Sequence, residues 1–250
     1  PWWIVQAVDK KRARLNCIDH LLSSYEKYGD GLYQPKILDN ENHDTFISSG
    51  NFVNSLGFGY SRGKGKVDFG QYDTDQDIGY ASGTCLFTSS KILKKIGNFD
   101  PFLFAYHDDL DLGWRAMQQG IKSYYVPSAT IFHAESYSLK WSSRKFFWLE
   151  RNRRYCLLTH YSKHTYKMMR TQLLQVELMV WLFYLVKGFL GAKLKAELGI
   201  IRSKKHIKQK YEELEAAKAP PKSSAKKKKG GWWIRVPVDE EEWMYLTDLT

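Results

Sequence analysis

The 250-residue sequence predicts an α/β fold followed by a helical extension. Short apolar segments typical of strands alternate with segments whose apolar residues recur at helical spacing, up to about residue 165. Beyond that point the apolar residues crowd into one stretch, Leu173 to Val186, and a lysine-rich helical pattern follows it. After residue 215 the composition turns to that of a linker with a short aromatic and acidic tail. The sequence therefore predicts three parts: residues 1–165, 166–215 and 216–250.

The first elements are predicted to be a strand, a helix and a second strand. Ile4 to Val8 is a short apolar run, which is typical of a buried strand. Apolar residues then recur at helical spacing, with Asn16 as the expected N-cap and Gly29 as the expected end. Leu32 to Leu38 predicts the next strand. Because its Pro35 cannot donate to a ladder, we expect an edge strand or a bulge there.

A long segment rich in Gly, Asn, Asp and Ser, residues 39–77, is predicted to be a loop. Ile78 to Phe87 predicts a strand, and Ser89 is expected to cap a short helix that ends at Gly97. An acidic helix is expected from Asp108 to about residue 120. Two short strands (124–126 and 129–133) and a basic helix (142–161) complete the predicted domain.

The charge distribution indicates an anionic partner. The formal net charge is +11, and Lys and Arg concentrate after residue 140, around the apolar stretch Leu173 to Val186. That stretch is shorter than the about 20 residues needed to span a bilayer, which favours a helix lying on an anionic membrane surface. A buried core helix is the alternative. The basic helix with Arg151, Arg153 and Arg154 is expected to be either a solvated surface or a lipid contact.

The absence of three sequence patterns leads to expectations about the cellular compartment and about nucleic-acid binding. The amino terminus has no charged and apolar signal-peptide pattern, and the three cysteines form no CxxC pair, so a reducing, cytoplasmic location is expected. The aromatic residues lie at core spacing and do not interleave with the basic runs, which argues against a nucleic-acid partner.

The most informative stretch runs from Gly79 to His133. It contains, in order, Ala81-Ser82-Gly83, the helix end Ile96-Gly97-Asn98-Phe99-Asp100, the acidic motif from Asp108, a VPSA turn and a histidine. Trp148 to Arg153 extends the pattern. This order of motifs resembles family 2 glycosyltransferases of the rhamnosyl and galactofuranosyl type, over roughly residues 30–160. The resemblance implies a GT-A-like mixed sheet flanked by helices, with a helical membrane-associating extension after it.

The resemblance also implies a reaction. Such enzymes transfer a sugar from a nucleotide-diphosphate donor to a lipid-linked or polysaccharide acceptor, here at the inner face of the cell membrane during cell-envelope polysaccharide synthesis. A carboxylate must deprotonate the acceptor hydroxyl, and a divalent cation, Mg²⁺ or Mn²⁺, must stabilise the departing diphosphate. By position, Asp109 matches the general base, Asp108 the acidic residue before it, and His133 the histidine of the metal site. The residues expected at the substrates are Ser82, Gly83, Asp111, Trp114, Arg115, Arg151 and Asn152.

Two alternatives stay open. The aspartates at 108, 109 and 111 would also satisfy backbone donors at a helix N-terminus, and Asp111 with Arg115 would make an i,i+4 pair. The family's Asp-x-Asp metal motif is matched only by Asp9-Lys10-Lys11, whose lysines repel cations, so we expect a weakly held metal. No counterpart of the family's earlier nucleotide-binding units precedes Pro1. A non-catalytic remnant that binds an acceptor or a membrane is therefore the competing hypothesis.

Overall fold

The computed structural model describes residues 10–134 and 141–218, which fall in one compact unit. The elements in chain order are α1 (Lys10–Tyr28), β1 (Gly31–Asp39), β2 (Phe46–Ser48), β3 (Asn51–Val53), β4 (Gly59–Ser61), β5 (Gln76–Ile78), β6 (Phe87–Thr88), α2 (Ser90–Ile96), α3 (Asp108–Gln118), β7 (Lys122–His133), α4 (Ser143–His160), α5 (Lys163–Met168), α6 (Arg170–Val186), α7 (Leu190–Arg202) and α8 (Lys204–Ala217). The predicted α/β class, with a mixed sheet and helices, is confirmed.

The sheet is built around β1. Its strand order is β2-β1-β7-β5, and β6 also pairs with β1. The long β1 and β7 run parallel, whereas β2, β5 and β6 pair antiparallel to their neighbours. β3 and β4 form a separate hairpin. Both faces of β1 are buried, and the buried residues include the polar Gln34 and Lys36 as well as the apolar ones.

The expected edge position of Pro35 is wrong, and the expected bulge is confirmed. β1 has partners on both sides, and its register with β7 breaks between Pro35 and Lys36, where the partner residue jumps from Val126 to Thr130. A break in the ladder removes the need for the missing N–H donor. The same irregularity explains why the two strands predicted around Pro127 are a single strand, β7.

Two other boundaries also differ from prediction. α1 already begins at Lys10, so Asn16 lies inside the helix, although Gly29 follows its end with a φ of +81° as expected. Ile78 to Phe87 is not one strand, because only its ends belong to β5 and β6. The residues between them form the turn that carries Ser82 and Gly83. The predicted strand Ile4 to Val8 and the 216–250 tail lie almost wholly outside the described residues.

α3 lies between two hydrophobic clusters. One face packs with α2 and β1 around Leu112 and Ala116, and the other packs with α4, α7 and α8 around Leu110 and Trp114. A Cβ on Gly113 would lie 2.2 Å from Cβ of Tyr80, so no larger residue fits at this contact. The helix that carries the acidic motif is therefore fixed on both sides.

Buried charges join α4 to the last helices. The Lys193 ammonium is fully buried and donates to Glu150 (2.6 Å), Glu197 (2.7 Å) and Glu177. Arg153 and Arg154 pair with the same glutamates, and we call these six residues the ionic cluster. The expectation that Arg151 and Arg153 lie on a solvated or lipid-facing surface is wrong, because they are 8% and 3% exposed.

The predicted uncovered apolar face of the extension is present. Its α6 side chains that are more than half exposed are Leu174, Leu178, Met179, Leu182, Leu185 and Val186. Half-exposed Leu194, Leu198 and Ile201 add a stripe on α7. The lysine-rich helical pattern that follows the apolar stretch forms two helices, α7 and α8, separated at Ser203. Among the described helices, none is long and apolar enough to cross a membrane.

Candidate active site

Asp109 lies in the first turn of α3 and faces the turn between β5 and β6. One carboxylate oxygen accepts from the Gly83 N–H at 3.0 Å, and the other accepts from the Leu110 N–H at 2.8 Å. Burial raises the pKa of Asp109 to about 6, the Gly83 hydrogen bond opposes the rise, and the negative charge of Asp108 adds to it. A carboxylate with this pKa is suited to accepting a proton near neutral pH.

Asp108 and Tyr80 complete the immediate surroundings of Asp109. Burial also raises the pKa of Asp108. Tyr80 is buried, and its pKa is raised by that burial first and then by the charges of Asp109 and Asp108. Among the described residues, no lysine, arginine or histidine pairs with the Asp109 carboxylate. Within this part of the chain, the site therefore concentrates negative charge that no cationic side chain neutralises.

A buried amide network holds the Ser82–Gly83 turn in place. The side-chain oxygen of Gln34 in β1 accepts from the Ser82 N–H at 2.9 Å and from the Asn51 amide at 2.8 Å. Its nitrogen donates to Ser48 at 3.0 Å. Sequence reasoning missed Gln34 and Asn51. The available signal was a glutamine inside a strand predicted to be buried, since a buried polar group needs partners.

The loop before α3 has a constrained backbone. Phe104, Tyr106 and His107 have φ values of 57°, 64° and 64°, in the left-handed region that costs non-glycine residues about 1 kcal/mol or more each. The Asn152 side-chain nitrogen of α4 lies within 2.8 Å of the carbonyl oxygens of three loop residues: Leu103, Ala105 and Tyr106. These contacts offset the backbone strain.

The predicted pair of Asp111 and Arg115 is confirmed as an internal contact. Arg115 donates to one Asp111 oxygen at 2.8 and 2.9 Å, and His160 of α4 contacts the other at 2.8 Å. Burial alone would raise the pKa of Asp111, but His160 and Arg115 outweigh it and lower the value. Trp114 stacks on His160, with ring centroids 4.7 Å apart. The burial of all four side chains favours a structural role over substrate contact.

The predicted metal site of Asp9 and His133 stays a prediction, because Asp9 lies outside the described residues. His133 ends β7 in register with Asp39 of β1, whose carboxylate accepts from the backbone N–H groups of Glu41 and Asn42. Within residues 10–134 and 141–218, the acidic group compact enough for a metal is that of the ionic cluster, where the Lys193 ammonium already bonds all three glutamates.

The predicted substrate residues therefore separate into two groups. Ser82 and Gly83 lie beside Asp109, whereas Trp114, Asp111 and Arg115 lie on the buried side of α3. Arg151 and Asn152 reach the loop that precedes α3 from α4.

Comparison with known proteins shows what the residues around this site are similar to. Residues 50–156 match the family model described as glycosyltransferase like family 2. Over 65 residues the chain is 37% identical to N-acetylglucosaminyl-diphospho-decaprenol L-rhamnosyltransferase of Mycobacterium tuberculosis, covering 26% of this chain and 21% of that protein. Over 22 residues it is 86% identical to ADP-polyphosphate phosphotransferase of Pseudomonas aeruginosa, covering 9% of this chain and 7% of that protein.

These matches cover only part of this chain and a small part of each relative. The chain spans about a fifth of the length of the rhamnosyltransferase relative. The matched range 50–156 includes the Ser82–Gly83 turn, all of α3 and most of α4, and thus both backbone N–H groups that donate to Asp109, whereas Gln34 lies outside it. Residues 50–156, less than half of the chain, are therefore similar to family 2 glycosyltransferases.

Proposed function

We propose that this chain transfers a sugar from a nucleotide-diphosphate donor to a lipid-linked or polysaccharide acceptor, with Asp109 as the general base. The observation that carries the proposal is the Asp109 carboxylate itself, half-buried at a helix start, where it accepts from the Gly83 and Leu110 N–H groups and pairs with no cationic side chain of the described residues. Such a group costs stability, which favours a functional role over a structural one. The family match over residues 50–156 supports the reaction class.

In this reaction Asp109 accepts the proton of the acceptor hydroxyl as that oxygen bonds the anomeric carbon. The bond from that carbon to the donor diphosphate breaks at the same time. The Gly83 N–H orients the carboxylate, and the Gln34 network holds that N–H in place. Asp108 keeps the local potential negative, which favours protonation of Asp109.

A divalent cation is proposed to be held weakly at most. It would act as a Lewis acid toward the departing diphosphate. His133 is the predicted ligand within the described residues, and no metal-sized ligand group there includes it. The described residues alone do not complete a metal site around His133, and none of the steps above depends on the metal.

The test is a transfer assay on the full chain. The donor is thymidine diphosphate rhamnose at millimolar concentration, since weak donor binding is expected, and the acceptor is N-acetylglucosaminyl diphosphate on a polyprenol. Asp109→Asn should lower the rate about 10²- to 10⁴-fold, the usual contribution of a general base. The wild-type rate should rise with pH through about 6, because the base acts only when deprotonated. The exposed Asp77→Asn is the control. An Asp109→Asn variant with wild-type rate would refute the proposal.

We also propose peripheral binding to an anionic membrane surface at the cytoplasmic face, which would bring a lipid-linked acceptor to the site. The support is the apolar face of α6, with Leu178 63% and Val186 72% exposed, beside the exposed Lys187 and Lys195. An apolar face flanked by lysines is typical of interfacial helices. The binding surface is thus distinct from the Asp109 site.

Vesicle sedimentation tests the membrane proposal. Leu178→Glu together with Leu182→Glu should reduce binding to phosphatidylglycerol vesicles about tenfold or more, since both apolar contacts are lost. Leu15→Glu is the matched control, because Leu15 is a 64% exposed leucine on α1. Equal binding of the double variant and the wild type would contradict a membrane role for α6.

A further inference from the structure

We infer that Arg151 and Asn152 are positioning residues, which aim Asp109 by holding the backbone loop that leads into α3. The inference rests on the proposed function of Asp109, and it concerns which residues outside α3 make that function possible. Neither side chain needs to touch a substrate for this role.

The first observation is the way Asn152 is oriented. Its side-chain oxygen accepts from two nitrogens of Arg151, at 2.8 and 3.0 Å. The amide nitrogen must therefore point the opposite way, toward the carbonyl oxygens of Leu103, Ala105 and Tyr106, which lie 2.7 to 2.8 Å from it. Arg151 thus fixes the amide, and the amide fixes the loop.

Arg151 also contacts the loop directly. Its guanidinium donates to the carbonyl oxygen of Phe102 and lies 4.3 Å from the ring centroids of both Phe102 and Trp148. The side chain is 8% exposed, so this contact is internal. With Asn152, it binds four carbonyl groups between residues 102 and 106.

His107 connects the restrained loop to the first turn of α3, which carries Asp109. His107 is the N-cap residue of α3, with a φ of 64°, and its carbonyl oxygen accepts from the Asp111 N–H at 2.8 Å. A change in the backbone at His107 would therefore rotate the first turn of the helix. That turn carries Asp109, whose bond to Gly83 spans two separate segments and tolerates little displacement.

The decisive variant is Asn152→Leu, which keeps the side-chain volume and removes every hydrogen bond to the loop. Gln118→Met is the matched control, because the Gln118 amide joins α3 to α4 by donating to the His160 carbonyl at 3.0 Å, away from the loop. Arg151→Lys is the second variant. It keeps the charge and loses the planar fork that orients Asn152.

Three measurements on the full chain follow. Chymotrypsin should cleave after Phe104, which is 67% exposed, at least tenfold faster in Asn152→Leu than in the wild type or Gln118→Met. The Asp109 carboxyl, followed by ¹³C NMR, should titrate about one pH unit lower, because water reaches it. The transfer rate constant should fall about 10- to 100-fold with little change in donor KM, since a small misplacement of a base affects the chemical step.

The outcomes separate this inference from the proposed function. Unchanged cleavage and an unchanged Asp109 titration in folded Asn152→Leu would overturn the inference, as would equal changes in Gln118→Met. If Asn152→Leu does not fold, the same readouts on Arg151→Lys decide. Should Asp109→Asn retain full transfer activity, the general base is refuted, while cleavage and titration still establish whether the loop is held by Arg151 and Asn152.

Discussion

Asp109 and Glu150 are both largely withdrawn from water, and their surroundings differ in one respect. Glu150 in α4 is 3% exposed and pairs with Arg153 and Lys193 at 2.8 and 2.6 Å. Asp109 is held by two backbone N–H groups and has the like charge of Asp108 beside it. The fold neutralises the first carboxylate and leaves the second uncompensated. Buried charge with partners indicates structure here, and buried charge without them indicates a site of chemistry.

The pKa values of carboxylates in the ionic cluster and at Asp109 are shifted in opposite directions. Burial alone would raise the pKa of Glu177 in the ionic cluster, but Lys193, Arg154 and Arg153 outweigh it and lower the value. For Asp109 the desolvation dominates, and the pKa rises to about 6. The ionic cluster contains three carboxylates and three cationic side chains, so its charges balance. Substitutions in the two regions should therefore affect stability with opposite signs.

The largest effect is expected for Lys193→Ala. Removal of the ammonium leaves three carboxylates facing one another, and the free energy of unfolding should fall by about 3–5 kcal/mol, as for other broken buried ion networks. Urea denaturation measures the change. Lys195→Ala, an exposed lysine of the same helix, should cost less than about 0.5 kcal/mol. Equal effects of the two variants would remove the contrast between the regions.

Asp109→Asn should change the free energy of unfolding in the opposite direction. It should stabilise the protein at pH 8 by up to about 2 kcal/mol, after allowance for the partial exposure of Asp109. Because its folded pKa is raised from 3.8 to about 6, the wild type loses stability as the pH rises through that window. The variant has no such loss, so the thermal unfolding midpoints should converge near pH 4, separate as the pH rises to about 6, and stay apart above that pH.

Asp111→Asn is the matched control for this second prediction. Asp111 lies two residues away in α3 with its pKa lowered by His160 and Arg115, so its substitution should destabilise the protein at pH 8. Stabilisation by both substitutions would show that general charge repulsion, and not the environment of Asp109, governs the effect.

The smallest effect is expected within the ionic cluster itself. Arg154 is 25% exposed and pairs with Glu177 and Glu197 at 3.0 and 3.2 Å, so Arg154→Ala should cost about 1 kcal/mol or less. Arg153 is 3% exposed, and Arg153→Ala should cost several times as much. Denaturation midpoints of the two variants measure the difference. A larger loss for Arg154→Ala would mean that burial does not govern the energetics of this cluster.

Local signals in the sequence were reliable guides to structure. Ser89 caps α2 by accepting from the Ile92 N–H, and Gly97 ends that helix with a φ of 82°, as predicted. Asp108 begins α3 as predicted, and α4 lies within the predicted helix 142–161, with Ser142 as its N-cap. Each of these features depends on a few neighbouring residues, so a short window contains the information.

Predictions that depended on distant partners were less successful. The arginines at 151 and 153 were expected at a surface, since charged side chains are seldom buried without a partner. Their partners lie elsewhere in the chain: Arg151 binds the Phe102 carbonyl and Arg153 binds Glu177. The central position of β1 likewise depends on β7, whose pairing no local pattern shows.

By itself, the sequence determined the α/β class, the capped helices and the acidic motif at Asp109, because spacing and turn chemistry are local. Only the tertiary structure decided which buried carboxylates are compensated. Glu150 meets Lys193 across 43 residues, whereas the long-range partner of Asp109 among the described residues is a backbone N–H, 26 residues away. Since pKa depends on burial and on partners brought together by folding, two acidic residues that look alike in the sequence acquire opposite roles.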